Sequence, residues 1–180
     1  AAGTMNLVIL GRPRLGEPAV QAAIDALPDP SRVIRLHYVV ESDLRALYQG
    51  AAVFVFPSKY EGFGLPVLEG MQAGVPVVAA KIASVPEVGG DVIEYFKPGD
   101  SDDLVVAINK VFNKSDAQRE AQILAQKQRA ERFTWEESAK NTLAVILDAA
   151  ALGSAANKAK KTKKSNHKDS SVPLIGTLEN

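Results

Sequence analysis

Between residues 6 and 153, short apolar runs alternate with segments of helical period, and this alternation predicts the elements. NLVILG (6–11) reads as a strand, being short, rich in branched aliphatics and closed by Gly. EPAVQAAIDALP carries Ala19, Ala23, Ile24 and Leu27 at helical spacing and stops at Pro28. VIRLH (33–37) is the next strand, and SDLRALYQGA (42–51) a helix with Leu44, Leu47 and Tyr48 on one side. AVFVF (52–56) shows no polar alternation, which predicts a strand buried on both faces, as in the middle of a parallel sheet. PVLEGMQAG (66–74) starts with Pro and ends with Gly, the usual asymmetry of helix ends.

The same alternation continues to the end of the pattern. VPVVAA (75–80) and VIEYF (92–96) are strands, separated by a brief helix for which Ser84 and Glu87 have capping-box spacing. DSDDLVVAINKVF begins a helix with acids in its first turn. Two more helical stretches follow, over 116–132 and from a second capping pair, Thr134 and Glu137, to a stop at Gly153. Beyond that, SAANKAKKTKKSNHKDSS has no apolar period and predicts a disordered tail over 154–180, leaving one domain over 1–153. Strand–helix alternation implies an α/β fold, a parallel sheet with helices on both faces. Ligands of such sheets bind beyond the carboxyl ends of the strands. That edge is expected to hold the loops 11–17, 38–42, 57–65 and 81–84.

Composition changes this picture little. At 46% hydrophobic and 23% charged residues the chain is ordinary for a globular protein of its 180 residues. It has no Cys, which excludes disulfides and thiolate metal sites and fits a reducing compartment, so a cytoplasmic location is expected. No run is long enough to span a bilayer, and the N-terminus does not resemble a signal peptide. The net charge of zero hides an asymmetry, because the tail holds six Lys against Asp169 and Glu179. A basic tail on an acidic body suggests weak contact with anionic surfaces, such as the cytoplasmic face of a membrane, or a solvated extension; no specific nucleic-acid motif accompanies it.

The chemistry concentrates in EGFGLPVLEG (61–70). A strand, a glycine loop and a helix start leave backbone N–H groups aimed outward, where the helix dipole favours an anion such as phosphate. Gly62 and Gly64 allow positive φ and close backbone approach. The stretch is neither a P-loop nor a GxGxxG fingerprint. Its two glutamates suggest hydroxyl partners: Glu61 can accept from a sugar, and Glu69, one turn into the helix, from the paired hydroxyls of a ribose. Phosphate held by backbone between two sugars would make a nucleotide-sugar site. On composition alone, the glycines are equally turn residues, Glu69 a dipole-stabilising acid and Glu61 a solvated loop charge. No acid-rich metal cluster is visible, and no cofactor is expected.

PSKYEGFGLPVLEGMQAGVPVVA resembles the donor-binding segment of retaining glycosyltransferases of family 4, with its two glutamates separated by seven residues. The likeness runs on through LVILG, LYQGAAVFVFPS, ASVPEVGGD, KPGDSDDL and RAERFTWEESA, about residues 7–146. It implies the C-terminal, Rossmann-like half of a GT-B enzyme, whose substrate is a nucleotide-diphosphate sugar and which needs no metal. By that resemblance Glu61 faces the donor sugar as the catalytic-site carboxylate. Gly62, Phe63, Gly64 and Leu65 meet sugar and distal phosphate, Glu69 binds the ribose, Tyr38 and Val39 lie along the base, and Ser58 belongs to the donor site.

The chain departs from the family in three respects. The family's first strand and its Arg/Lys loop, which grips the diphosphate, have no counterpart; GRPRLG aligns with the following loop, so Arg12 or Arg14 would have to substitute. The N-terminal acceptor domain is absent from these 180 residues, which implies a partner domain or subunit. His37 stands where the family has Gly, and is expected to be partly buried at a strand end. Two readings stay open: the donor-binding part of a hexosyltransferase, or a non-catalytic nucleotide-sugar-binding module of the same descent.

Overall fold

A computed structural model of the chain describes residues 5–13 and 16–166, with side chains up to Gly153. Arg14 and the tail from His167 onward therefore lie outside the described residues. The chain divides into two units, Ala1–Ala130 and Glu131–Asn180. The division thus precedes the last helix, where the sequence pattern placed it at residue 153.

The first unit follows the predicted order. Its elements are β1 (Leu7–Leu10), α1 (Glu17–Asp25), β2 (Val33–Leu36), α2 (Glu41–Gly50), β3 (Phe54–Phe56), α3 (Leu65–Ala73), β4 (Val77–Ala80), α4 (Val85–Gly89), β5 (Glu94–Phe96), α5 (Ser101–Phe112) and α6 (Asp116–Ala130). Every strand pairing is parallel. The strands form two hydrogen-bonded sets, β1-β2 and β3-β4-β5. A sheet wound outward in two directions from its first strand has the order 3-2-1-4-5-6. These five strands supply the 3-2 and 4-5-6 runs, and among the described residues no strand pairs with the second edge of β1 or of β3.

That topology accounts for one departure from the sequence pattern. β3, predicted buried on both faces, is only half-buried throughout, because β4 covers one edge and nothing described covers the other. β1 is similar: Leu7 and Leu10 are 55% and 43% exposed, although the strand is wholly apolar. β4, paired on both sides, is buried at every position.

The core therefore sits around β4. Ala107 and Val111 of α5 cluster with Val78 and Ala80 of β4, and Val67 and Met71 of α3 and Val85 and Val88 of α4 are buried as well. α3 ends in a Schellman motif: Gly74 takes φ 82°, its N–H reaches the Met71 carbonyl at 3.3 Å, and the Val75 N–H reaches Gly70 at 3.2 Å. α6 is fastened by Gln126, which is fully buried. Its amide donates to the Val75 carbonyl at 2.8 Å and accepts from the Val77 N–H at 3.3 Å. Arg129 donates to the Val88 and Glu87 carbonyls, closing the end of α4.

Two helix ends differ from the sequence pattern. Ser84 does not cap α4 with its side chain; its backbone is helical, with φ −76° and ψ −14°, so the hydroxyl points elsewhere. In the second unit, α7 spans Trp135–Asn166 and passes through Gly153, correcting the predicted stop and the predicted disorder of residues 154–166. One glycine costs a helix only about 1 kcal/mol relative to Ala, and the Ala- and Lys-rich residues after it are strong helix formers. At its start the Thr134 hydroxyl does accept from the Glu137 N–H, at 3.1 Å.

Candidate functional site

The site predicted around residues 57–69 is assembled by the turn from β3 into α3. Gly64 is the N-cap, with φ 99° and ψ 44°, a left-handed conformation that costs a residue with a side chain and costs glycine nothing. Its carbonyl accepts from the Val67 N–H at 2.9 Å and the Leu68 N–H at 3.4 Å. Pro66 has no N–H, so the amides of Gly64 and Leu65 stand ahead of the helix ladder, at the positive end of the dipole. No side chain caps α3. Of the two glycines singled out for positive φ, only Gly64 has it; Gly62 is not left-handed, and a Cβ there would meet open space.

The loop before α3 is held from two sides. The Ser58 hydroxyl donates to the Tyr60 carbonyl at 3.1 Å. The Ser84 hydroxyl, freed from capping, donates to the Glu61 carbonyl at 3.3 Å, drawing the loop after β4 against the loop after β3. Beside that contact Ala83 takes φ 37°, the single positive-φ non-glycine among the described residues. Glu61 is half-buried, and Gly62, Phe63, Leu65 and Glu69 are exposed while Gly64 is buried. Glu69 lies one turn into α3, where its Oε2 accepts a hydrogen bond of 3.1 Å from the Tyr48 hydroxyl of α2.

The structure thus brings Ser58, Glu61, Gly62, Phe63, Gly64, Leu65 and Glu69 to one helix end. Tyr38 and Val39 follow β2, in the other sheet, and connect to this end through α2 rather than by strand pairing. Tyr38 is 73% exposed, and His37, expected to be partly buried, is exposed as well. Arg12 is exposed in the loop after β1. The sequence pattern missed two contributors. Ser84 was read as a cap, and Tyr48 as an apolar-face residue of α2. A separate open groove of about 370 Å³ runs along the ends of β4 and β5, lined by Lys81, Tyr95, Phe96, Lys97, Pro98 and Asp103. None of the residues of the α3 site lines it. Among the described residues, no group of three or more His, Asp or Glu is placed to hold a metal ion.

Comparison with known proteins decides the family. The profile of the glycosyl transferases group 1 family matches residues 1–114. The chain belongs to that family. O-antigen chain mannosyltransferase B of Escherichia coli is 42% identical over 108 residues, which cover 60% of this chain and 28% of that protein. The MMP alpha-(1->4)-mannosyltransferase of Mycolicibacterium hassiacum is 32% identical over 108 residues, covering 58% and 26%. The chain therefore spans about a quarter of the length of these relatives. Among solved structures, Anabaena HepE in complex with UDP superposes with a TM-score of 0.67 at 24% identity, over 82% of this chain and 42% of that one. The sucrose-phosphate synthase of Thermosynechococcus elongatus does so at 0.68 and 23%, over 81% and 39%. The α/β fold with parallel sheets is shared with these GT-B glycosyltransferases.

Proposed function

We propose that the chain is the donor-binding part of a retaining, family 4 glycosyltransferase that moves a hexose from a nucleotide-diphosphate sugar to an acceptor. The observation that carries this reading is the left-handed Gly64 at the uncapped start of α3, with Glu61 before it and Glu69 one turn beyond. The amides of Gly64 and Leu65 offer an anion site for the diphosphate, and fixed dipoles aimed at developing negative charge are an effective way to stabilise a departing diphosphate. Glu61 faces the donor sugar, Glu69 takes the ribose hydroxyls, Ser58 shapes the loop, and Tyr38 and Val39 border the base. The mannosyltransferase relatives agree with a hexose donor, and a nucleotide-diphosphate sugar fits the UDP carried by HepE. No metal is assigned to the step.

The acceptor is assigned to a second domain or subunit facing this one, working on the cytoplasmic side. A binding module without catalysis is the second reading, favoured by the edges of β1 and β3, which no described strand pairs. Isothermal titration of the folded chain with uridine, guanosine and adenosine diphosphate sugars tests the shared core of both. Weak binding of at least one is expected; silence across the set would overturn the donor site. Acceptor-dependent release of nucleoside diphosphate by the chain alone, at about 1 per second or faster, would overturn the assignment of the acceptor to a second domain.

A further inference from the structure

Tyr48 has a position that packing alone does not require. It lies in the last turns of α2, and its ring meets Phe54 of β3 edge-on, with centroids 5.0 Å apart and planes at 81°. Its hydroxyl passes beyond that contact to Oε2 of Glu69 on α3, at 3.1 Å. Glu69 is exposed, and a free glutamate on a helix surface samples several rotamers. A carboxylate has two oxygens and about four acceptor positions. One donor on Oε2 leaves Oε1 and the remaining lone pairs for a second ligand, and it restricts how the carboxylate can turn.

We propose that Tyr48 is a positioning residue of the donor site, orienting Glu69 so that its open oxygen receives the vicinal hydroxyls of a ribose. This rests on the reading of Glu69 as the ribose carboxylate. The mechanism is pre-organisation: the cost of immobilising the glutamate is met on folding instead of on binding. The donor is reliable across the physiological range. Burial, reinforced by the charge of Glu69, raises the pKa of the Tyr48 phenol well above its ordinary value, so it keeps its proton. The Phe54 contact fixes the ring at the base, so the hydroxyl is presented from a rigid stem.

The experiment is a double-mutant cycle on the full chain, read by titration calorimetry with UDP, GDP and ADP, and with inorganic pyrophosphate as a probe without ribose. Tyr48→Phe keeps the ring and its contact with Phe54, and a thermal melt checks that the fold is intact. Immobilising one rotamer-rich side chain corresponds to about 3- to 10-fold in affinity. Tyr48→Phe is therefore expected to weaken the nucleoside diphosphate that binds by that factor and leave pyrophosphate unchanged. In a Glu69→Ala background the same change is expected to have no further effect. Undiminished nucleotide binding by Tyr48→Phe, additive losses in the double variant, or an equal loss for pyrophosphate would each overturn the positioning role. Failure of the unsubstituted chain to bind any of the nucleotides would instead remove the donor site itself, and this role with it.

Discussion

Gly64 and Gly62 stand two residues apart in the same loop, yet substituting Ala is expected to have very different consequences at each. At Gly64 the backbone is left-handed, with φ 99°. Space is not the obstacle: a Cβ there would meet Val85 Cγ2 at 3.5 Å, an ordinary contact. The cost is conformational, about 1–2 kcal/mol for an L-residue in the left-handed region. Ala also reduces the freedom of the unfolded chain, worth about 0.4–1 kcal/mol in the opposite direction where the conformation is compatible. The net expectation for Gly64→Ala is a loss of about 1 kcal/mol, or a melting point lower by about 3–6 °C for a unit of this size. Gly62 has neither positive φ nor a neighbour within 4 Å of a Cβ, so Gly62→Ala is expected to be neutral or slightly stabilising. Urea unfolding followed by far-UV circular dichroism reads the difference. Tryptophan fluorescence would not, since the lone Trp135 begins α7 and is 86% exposed. Equal midpoints for the two variants, or a larger loss at Gly62, would refute the assignment of the turn to Gly64.

Three further outcomes follow from the same geometry. Ala83→Gly is expected to stabilise the first unit by about 0.5–1 kcal/mol, by relieving a side chain held at φ 37°; an unchanged urea midpoint would contradict this. Gln126→Leu leaves the Val75 carbonyl and the Val77 N–H without their buried partner, and a loss of about 2–4 kcal/mol in the same assay is expected; less than about 0.5 kcal/mol would show that α6 is held otherwise. Burial of Tyr95, the leading cause, pushes its pKa up to about 12 from 10.0. Because the folded state holds that proton more tightly, its stabilising effect is complete below pH 10 and is lost as the pH climbs toward 12. Tyr95→Phe is expected to flatten the decline in urea midpoint between pH 10 and 12, and an unaltered slope would exclude Tyr95 as its source.

Most of the first unit was legible because its elements carry strong local signals. The branched aliphatic runs, the Pro–Gly frame of α3 and the acids at the start of α5 each act within a few residues, and each produced the predicted element. The donor-site candidates on α3 were legible for the same reason, since Ser58, Glu61, Gly64 and Glu69 all sit within one strand–turn–helix unit. What local pattern did not convey depends on neighbours distant in the chain. AVFVF is apolar enough for a central strand, but its burial is decided by whether a second strand pairs with it, and β4 alone does so among the described residues. Gln126 stands in a helix rich in polar residues, and its burial follows from α6 packing over the chain entering β4. Ser84 had the spacing of a cap, yet its hydroxyl donates to the Glu61 carbonyl and accepts from no N–H of α4. Tyr48 was visible as part of an apolar face, while its bond to Glu69 joins residues that only the fold brings together.

Central to the account is the assignment of nucleotide-diphosphate sugar binding to the start of α3, and amide chemical shifts report on that directly. In a nitrogen–proton correlation spectrum of the labelled chain, titrated with the nucleotide-sugar that binds by calorimetry, the largest shifts are expected at Gly62, Phe63, Gly64, Leu65 and Val67. Smaller ones are expected at Glu69 and at Tyr38 and Val39. Inorganic pyrophosphate is expected to reproduce the shifts at Gly64 and Leu65 but not those at Glu69 or Tyr38. Shifts confined instead to Lys81, Lys97 and the neighbouring groove, or spread along the lysines of α7, would contradict the account.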